Sequence, residues 1–254
     1  MPGPQVDFAL VSIISFFLFF VGLIFYLRHE DRREGYPLED DTSGRVWLED
    51  GFLYKGLPKT FILPNGQGTR SFPNKDRDRR PVAARRASKA PGSPLIPTGN
   101  PLVDGVGPAA YAERAKTPDL TSHGDPRIVP LRVARDFSLA KEDADPRGMQ
   151  VIAADGQIAG TVQDVWIDRS EFVARYLEIA TQSGRTGVLV PMTMALIDSG
   201  KRRVNVDAIT AAQFASVPAL TSGDQITAYE EERVVGYFGG GYLYATAARS
   251  EPLL

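Results

Sequence analysis

Cysteine is absent from the 254 residues, and histidine occurs only twice, as His29 and His123. The first absence removes disulfides, thiolate metal sites, Fe–S ligation and a cysteine nucleophile. The second removes HExxH helices, and the distance in sequence between His29 and His123 leaves a zinc site built on two imidazoles without support. There is no Walker A loop and no GxSxG elbow. Formal charge is −2, so the molecule as a whole is no polyanion binder. These absences describe a chain poorly equipped for catalysis, and the reading is that it is not an enzyme.

Positive charge is also missing from one particular place: Met1–Asp7 carries no Lys or Arg. The stretch that follows, Phe8–Leu27 (FALVSIISFFLFFVGLIFYL), carries no charge at all. At about 1.5 Å per residue, a helix of this length spans the roughly 30 Å hydrocarbon core of a bilayer. Ser12 and Ser15 can return hydrogen bonds to the backbone four residues earlier. With no polar face, the segment does not read as a buried helix of a soluble domain. A cleaved signal peptide would start with a basic region and end in small residues, and Leu27-Arg28-His29 is not such a site. The cations come after the helix, at Arg28, Arg32 and Arg33, with Tyr36 beside them, and the positive-inside rule then predicts an N-out, C-in anchor over about residues 8–28.

Gly35 and Pro37 are expected to end that helix. From Gly35 to about Pro108 the chain is rich in Pro and Gly and poor in periodic apolar residues. Lys59–Leu63 and Thr69–Phe72 read as short strands paired around Asn65-Gly66. The scattered Trp47, Phe52, Leu53, Tyr54, Phe61 and Phe72 favour a segment that is ordered on a partner. Arg70–Lys89 carries Arg70, Lys75, Arg77, Arg79, Arg80, Arg85, Arg86 and Lys89 against Asp76 and Asp78. Near a membrane such a tract is drawn to anionic lipid, although a solvated loop has the same composition. No stacking aromatics interleave the arginines, so nucleic acid is not expected.

From about Ile128 the pattern becomes β. Gly148–Ala153, Ile158–Asp168, Phe172–Ala180, Gly187–Val190 and Arg203–Val206 read as strands, with Asp155-Gly156, Gln182-Ser183-Gly184 and Ser199-Gly200 as turns. Ile158–Asp168 breaks strict alternation, which predicts a bulge or bend. The spacing leaves no room for crossover helices, so a small antiparallel barrel is expected. A C-terminal helix follows, with Ser222 as candidate N-cap, Glu230–Glu232 in its early turns and Gly239-Gly240-Gly241 as its end.

At family level, Tyr26-Leu27-Arg28, Arg32–Glu39 (RREGYPLE), Pro58–Pro64 (PKTFILP), Pro97–Pro101 (PTGNP) and Asp104–Ala109 (DGVGPA) resemble the H subunit of purple-bacterial photosynthetic reaction centres. Ala154–Asp168, with Asp155-Gly156 and Asp164-Val165-Trp166-Ile167-Asp168, resembles the PRC-barrel that this subunit shares with ribosome-maturation factors. The matches run in order from the anchor to Gly239–Tyr244. The implied fold is one N-terminal transmembrane helix plus a mainly-β cytoplasmic domain, a PRC-barrel-like small antiparallel barrel with a C-terminal helix. The implied divisions are the periplasmic N-terminus and anchor at 1–34, an extended segment on partner subunits at 35–127, and the barrel at 128–254.

The resemblance implies a subunit that binds no pigment itself, stabilises the pigment-binding L and M subunits, and shapes proton delivery to the secondary quinone. Bacteriochlorophyll, bacteriopheophytin, quinones and a non-haem iron are then expected in partner subunits. Anionic lipids, a cytochrome subunit and a light-harvesting antenna are further candidate neighbours, in the photosynthetic intracytoplasmic membrane of a bacterium. Asp168 and Glu171 match acidic positions that the family places near proton uptake, and Arg175 matches a basic neighbour. His123 matches one histidine of a surface pair whose second member is Asp125 here, so a His–carboxylate pair replaces two imidazoles and no metal site is expected. Two alternatives stand beside these readings. Asp168 and Glu171 can be plain turn residues, and the whole chain can be a membrane-tethered PRC-barrel adaptor for another protein or RNA.

Overall fold

The computed structural model describes residues 7–33, 36, 38–40, 42–47, 57–74 and 78–250. The expectations placed on Gly35, Pro37, Phe52, Leu53, Tyr54, Lys75, Asp76 and Arg77 lie outside these residues, as does the side chain of Trp47. Two compact units are present, one of residues 1–77 with 89–92 and the other of 78–88 with 93–254.

The first unit is dominated by helix α1 (Phe8–Glu30). Its first free N–H groups are met by Asp7, whose Oδ1 accepts from the N–H of Ala9 at 3.0 Å and of Leu10 at 3.1 Å. A carboxylate at this end also suits the helix dipole. Ser12 Oγ donates to the Phe8 carbonyl at 2.7 Å, the return bond expected of it. No residue of α1 is buried, so among the described residues its apolar side chains meet no core and the helix presents them all round. It is long and apolar enough to cross a membrane. It continues through a 3₁₀ turn, Asp31–Arg33, past the residue 28 expected from sequence. Strands β1 (Leu38–Glu39) and β2 (Val46–Trp47) pair, and β3 (Lys59–Ile62) pairs with β4 (Thr69–Phe72). In the β3–β4 connection Asn65 and Gly66 both take positive φ, 56° and 69°, as that dipeptide predicts.

The second unit opens with the hairpin β5 (Ala84–Arg86) and β6 (Leu95–Pro97) and the single-turn helix α2 (Pro101–Asp104). Its sheet contains β7 (Ile128–Pro130), β8 (Gln150–Ala153), β9 (Ile158–Asp168), β10 (Val173–Thr181), β11 (Val188–Pro191), β12 (Leu196–Asp198) and β13 (Arg203–Val206). The strand order is β11-β10-β9-β8-β13-β12. β7 and β8 both pair with β9, β8 through Ile158–Thr161 and β7 through Trp166–Asp168, so two short strands share one edge of the long one. One pair departs from the expected antiparallel order: β13 runs parallel to β8. The chain between β8 and β13 supplies β9 to β12, so strands make the crossover that a helix makes elsewhere.

The bend expected in β9 is met by irregular register on both its edges: Ala159 is an extra residue against β8, and the β9–β10 ladder carries two bulges. Arg175 is an extra residue on β10, between the pairs Ala174–Ile167 and Tyr176–Trp166. Gln163 is an extra residue on β9, between Glu178–Asp164 and Ile179–Val162. Each bulge re-aims the side chains beyond it. Near the far end Gly160 lies against β10 so closely that a Cβ there would stand 2.2 Å from the Ala180 carbonyl oxygen. Trp166, Leu177, Ile179, Val190, Val206, Ile209 and Phe214 fill the core from the sheet side. Each such side chain contributes roughly 1.5–3 kcal/mol on burial.

Helix α3 (Ala228–Tyr244) closes the core with Val234, Tyr237 and Phe238. It corrects two expectations. Its N-cap is Thr227 rather than Ser222, in a capping box: Thr227 Oγ1 accepts from the Glu230 N–H at 3.1 Å, and Glu230 Oε2 accepts from the Thr227 N–H at 2.8 Å. Nor do Gly239–Gly241 end it, since the helix runs to Tyr244. A Cβ on Gly240 would meet Ala109 Cβ at 2.5 Å, and one on Gly241 would meet the Ala208 carbonyl oxygen at 2.2 Å. These glycines are therefore contact surface, letting the 3₁₀ turn Gly107–Ala109 and the segment after β13 lie directly on the helix backbone.

Candidate functional site

A cavity of about 600 Å³ opens in the second unit where the start of β10 faces the first turns of α3. Arg127, Glu171 and Arg175 line one side, and Glu231 and Glu232 the other. Arg114 and Asp119, from the segment before β7, complete its charged wall, and Tyr176 and Met192 supply apolar surface.

The β9–β10 turn is shaped by Asp168. Its side chain is 0% exposed, and Oδ1 accepts from the N–H groups of Ser170 at 2.9 Å and Glu171 at 3.0 Å. Oδ2 lies 2.7 Å from Arg127 Nη2. Burial pushes this carboxyl upward, but Arg127 and the two N–H donors outweigh it, and it is held below the usual aspartate range. The same Arg127 nitrogen binds Glu171 Oε1. Glu171 is half exposed, and its Oε2 stands 3.9 Å from Arg175 Nη1, a loose contact made by the bulged residue. Phe172 then closes the turn with φ 59°, a left-handed angle unusual for an aromatic, donating its N–H to the Asp168 carbonyl at 2.8 Å.

His123 and Asp125 ride exposed on the neighbouring turn, where the Thr121 N–H donates to the Asp125 carbonyl at 2.8 Å. The chain leaves that turn through Pro126, whose carbonyl accepts from Arg169 Nε at 3.0 Å, and so delivers Arg127 to the carboxylates. The fold thus brings Asp168, Glu171 and Arg175 together around Arg127 and sets His123 and Asp125 on the adjoining loop. Sequence reasoning missed Arg127, which carries no local signal because its partners lie about forty residues away.

It also missed Glu231, although the acidic run Glu230–Glu232 was visible. Adjacent residues here behave oppositely. Glu230 is buried, but bonds from Thr227 and from the Thr221 N–H at 2.6 Å outweigh the burial and hold its carboxyl low. Among the described residues, Glu231 faces the cavity with one close donor, the Tyr176 hydroxyl at 2.8 Å from Oε2. Burial pushes its carboxyl up, against the pull of Tyr176, Arg175 and Arg114 and with some help from Asp119. Burial likewise raises the Tyr176 hydroxyl far above the ordinary phenol range, with the nearby Glu231 charge adding to it.

In the first unit, Arg28 lies in the last turn of α1 and its carbonyl accepts from Arg32 Nη1 at 3.4 Å. The Arg32 guanidinium sits 5.2 Å over the Tyr36 ring, and Arg33 forks onto Glu30 through two contacts of 3.0 Å. Glu30 also takes Lys59 Nζ at 2.6 Å. Of the basic tract, Arg70, Arg79 and Arg85 are exposed, whereas Arg80 binds Asp78, donates to the Tyr111 carbonyl at 2.8 Å and stacks 4.2 Å over that ring.

Among known families, residues 3–133 match the photosynthetic reaction centre, H-chain N-terminal region, and residues 140–213 match the PRC-barrel domain. The first match takes in the apolar helix and the Pro/Gly-rich segment, which a barrel alone does not have, and so sets the reaction-centre reading above a tethered adaptor. The two matches follow one another along the chain and coincide with the anchor and the sheet just described. A membrane-anchored chain with this order of parts belongs to the family of photosynthetic reaction centre H chains.

Proposed function

We propose that this chain binds no pigment, stabilises the complex of pigment-binding L and M subunits, and shapes proton delivery to the secondary quinone. The observation that carries the second half is the charged cavity, with Glu171 at its rim beside Arg175, Asp168 fixed behind it and Arg127 bridging the two carboxylates. A quinone that has taken two electrons must take two protons from water, and a wall of carboxylates concentrates and passes them. His123 and Asp125, exposed beside that wall, act as collectors. Bacteriochlorophyll, bacteriopheophytin, quinones and non-haem iron belong to the partner subunits, and this subunit adds no catalytic site of its own.

Three divisions of labour follow. Residues 1–34 anchor the chain with its N-terminus in the periplasm, Arg28, Arg32, Arg33 and Tyr36 lying at the inner headgroups. Residues 35–127 lie along L and M, with their exposed arginines toward anionic lipid, and residues 128–254 form the cytoplasmic cap. Because the chain has no cysteine, single introduced ones report topology: periplasmic reagent should label Gly3→Cys and spare Arg45→Cys. For the relay, Asp168→Asn with Glu171→Gln should slow proton uptake and the second electron transfer to the quinone, leaving the first unaltered. An unchanged second transfer in an intact complex would reduce the barrel to an assembly element.

A further inference from the structure

Of the carboxylates around the cavity, Asp168 is the least free to exchange a proton. It is fully buried, has a guanidinium on one oxygen and two backbone N–H groups on the other, and closes the turn that carries it. Glu230 is similarly committed to the capping box of α3. Glu231 is different. It projects from the next position of the helix into the cavity, half-buried, and its one close donor is a hydroxyl that can also accept.

We propose that Glu231, with the Tyr176 hydroxyl on it, is the group of this cavity that gains and loses a proton, while Asp168 serves as the fixed counter-charge of Arg127. The inference rests on the proton-delivery reading above and names its buffer. In the ionised form Tyr176 donates to Oε2. When a proton arrives from cavity water the carboxylate becomes a neutral carboxyl, the phenol keeps its bond, and one unit of negative charge disappears from the wall. The groups facing this site are Arg175 and Tyr176 from β10, Glu171 from the β9–β10 turn, Arg114, Asp119 and Arg127 from the segment before β7, and Glu232 from α3 itself. Arginines on two sides favour the charged state, while Asp119 and the loss of water oppose it. A carboxyl balanced in this way responds to a further charge: an electron reaching a quinone in the partner subunits favours the neutral form, and a proton is drawn in.

The test is made on the whole complex, in two steps. In a dark pH titration followed by infrared spectroscopy, wild type should show a deuterium-sensitive carboxyl band that ionises above the usual glutamate range. Glu231→Gln should lose that band, and Tyr176→Phe, which deprives the anion of its donor, should move the midpoint upward. Flash-induced proton uptake should then fall in Glu231→Gln most strongly near the wild-type midpoint, and by less to either side, a profile that simple loosening of the fold would not give. Absence of the band overturns the inference, and so does a band accompanied by unchanged uptake in Glu231→Gln. Normal uptake in the Asp168→Asn, Glu171→Gln double variant, with uptake lowered in Glu231→Gln, instead removes the turn carboxylates from the relay and leaves Glu231 in place.

Discussion

The β9–β10 turn and the first turns of α3 each place carboxylates on one cavity, and each buries one of them deeply, yet the two regions treat charge in opposite ways. The turn surrounds Asp168 with donors as well as with protein, so Arg127 and two backbone N–H groups outweigh the cost of burial and keep the carboxylate charged. The helix spends its donors on Glu230 and leaves Glu231 to one phenol. Burial alone therefore predicts nothing about protonation. The number and charge of the donors at each oxygen decide the direction, and neighbouring positions in one helix can fall on either side.

The sharpest way to break this contrast is to remove Asp168. Asp168→Ala leaves Arg127 without its buried counter-charge and two N–H groups without an acceptor; breaking a buried pair costs about 3–5 kcal/mol, and since Arg127 is partly exposed and keeps Glu171 we expect about 3 kcal/mol. Thermal unfolding of the complex would read it. Asp168 also sets an acid limit. Its folded carboxyl lies below its unfolded range, so the stability it lends is present above that range and lost as pH falls through the folded value.

Next in size is the cap. Thr227→Ala strips the Glu230 N–H of its acceptor and Glu230 of the Thr227 hydroxyl donor, leaving the backbone N–H of residue 227 in place, and should destabilise by about 1–2 kcal/mol. Glu231→Gln has the reverse sign. A group whose folded carboxyl is raised lends its stability at low pH and withdraws it as pH rises through the folded value. The Gln variant lacks that loss, so its stability relative to wild type should grow with pH, and a flat difference would contradict the contrast. Smallest is Glu171→Gln, at the half-exposed rim: an exposed pair is worth about 0–1 kcal/mol, and salt should shrink the effect further.

The anchor was legible because its signal is local: an unbroken apolar run with Asp7 before it and cations after it. The strands were legible for a similar reason, since apolar runs between glycine turns survive without knowing their neighbours. One failure was local, the T-x-x-E capping box at Thr227 that was passed over for Ser222, and the others depended on distant contacts. Ser222 looks like a cap, but Thr227 and Glu230 form the reciprocal pair that a single hydroxyl cannot. The Gly239–Gly241 run reads as a stop until Ala109 and Ala208 are seen against it. The parallel β8–β13 pair and the approach of Arg127 to Asp168 are separated by some fifty and forty residues, and no periodicity encodes them. Asp168 and Glu171 were found through family resemblance; Glu231 required its cavity.

The two bulges between β9 and β10 have a consequence best put in the language of reading frames. Arg175 is an insertion on one strand and Gln163 an insertion on the other, so together they cancel, and the ladder on either side of the pair is in a common phase. Only the window between them, Tyr176–Glu178 against Asp164–Trp166, is out of frame. That window holds the phenol on Glu231 and the Trp166 indole on Glu178. Deleting Arg175 alone would act as an uncorrected frameshift, turning either the window or the turn that carries Asp168 and Glu171 to the wrong face. Deleting Arg175 and Gln163 together would restore one continuous frame, and the cost would fall on the window and on the Arg175 charge that the cavity loses.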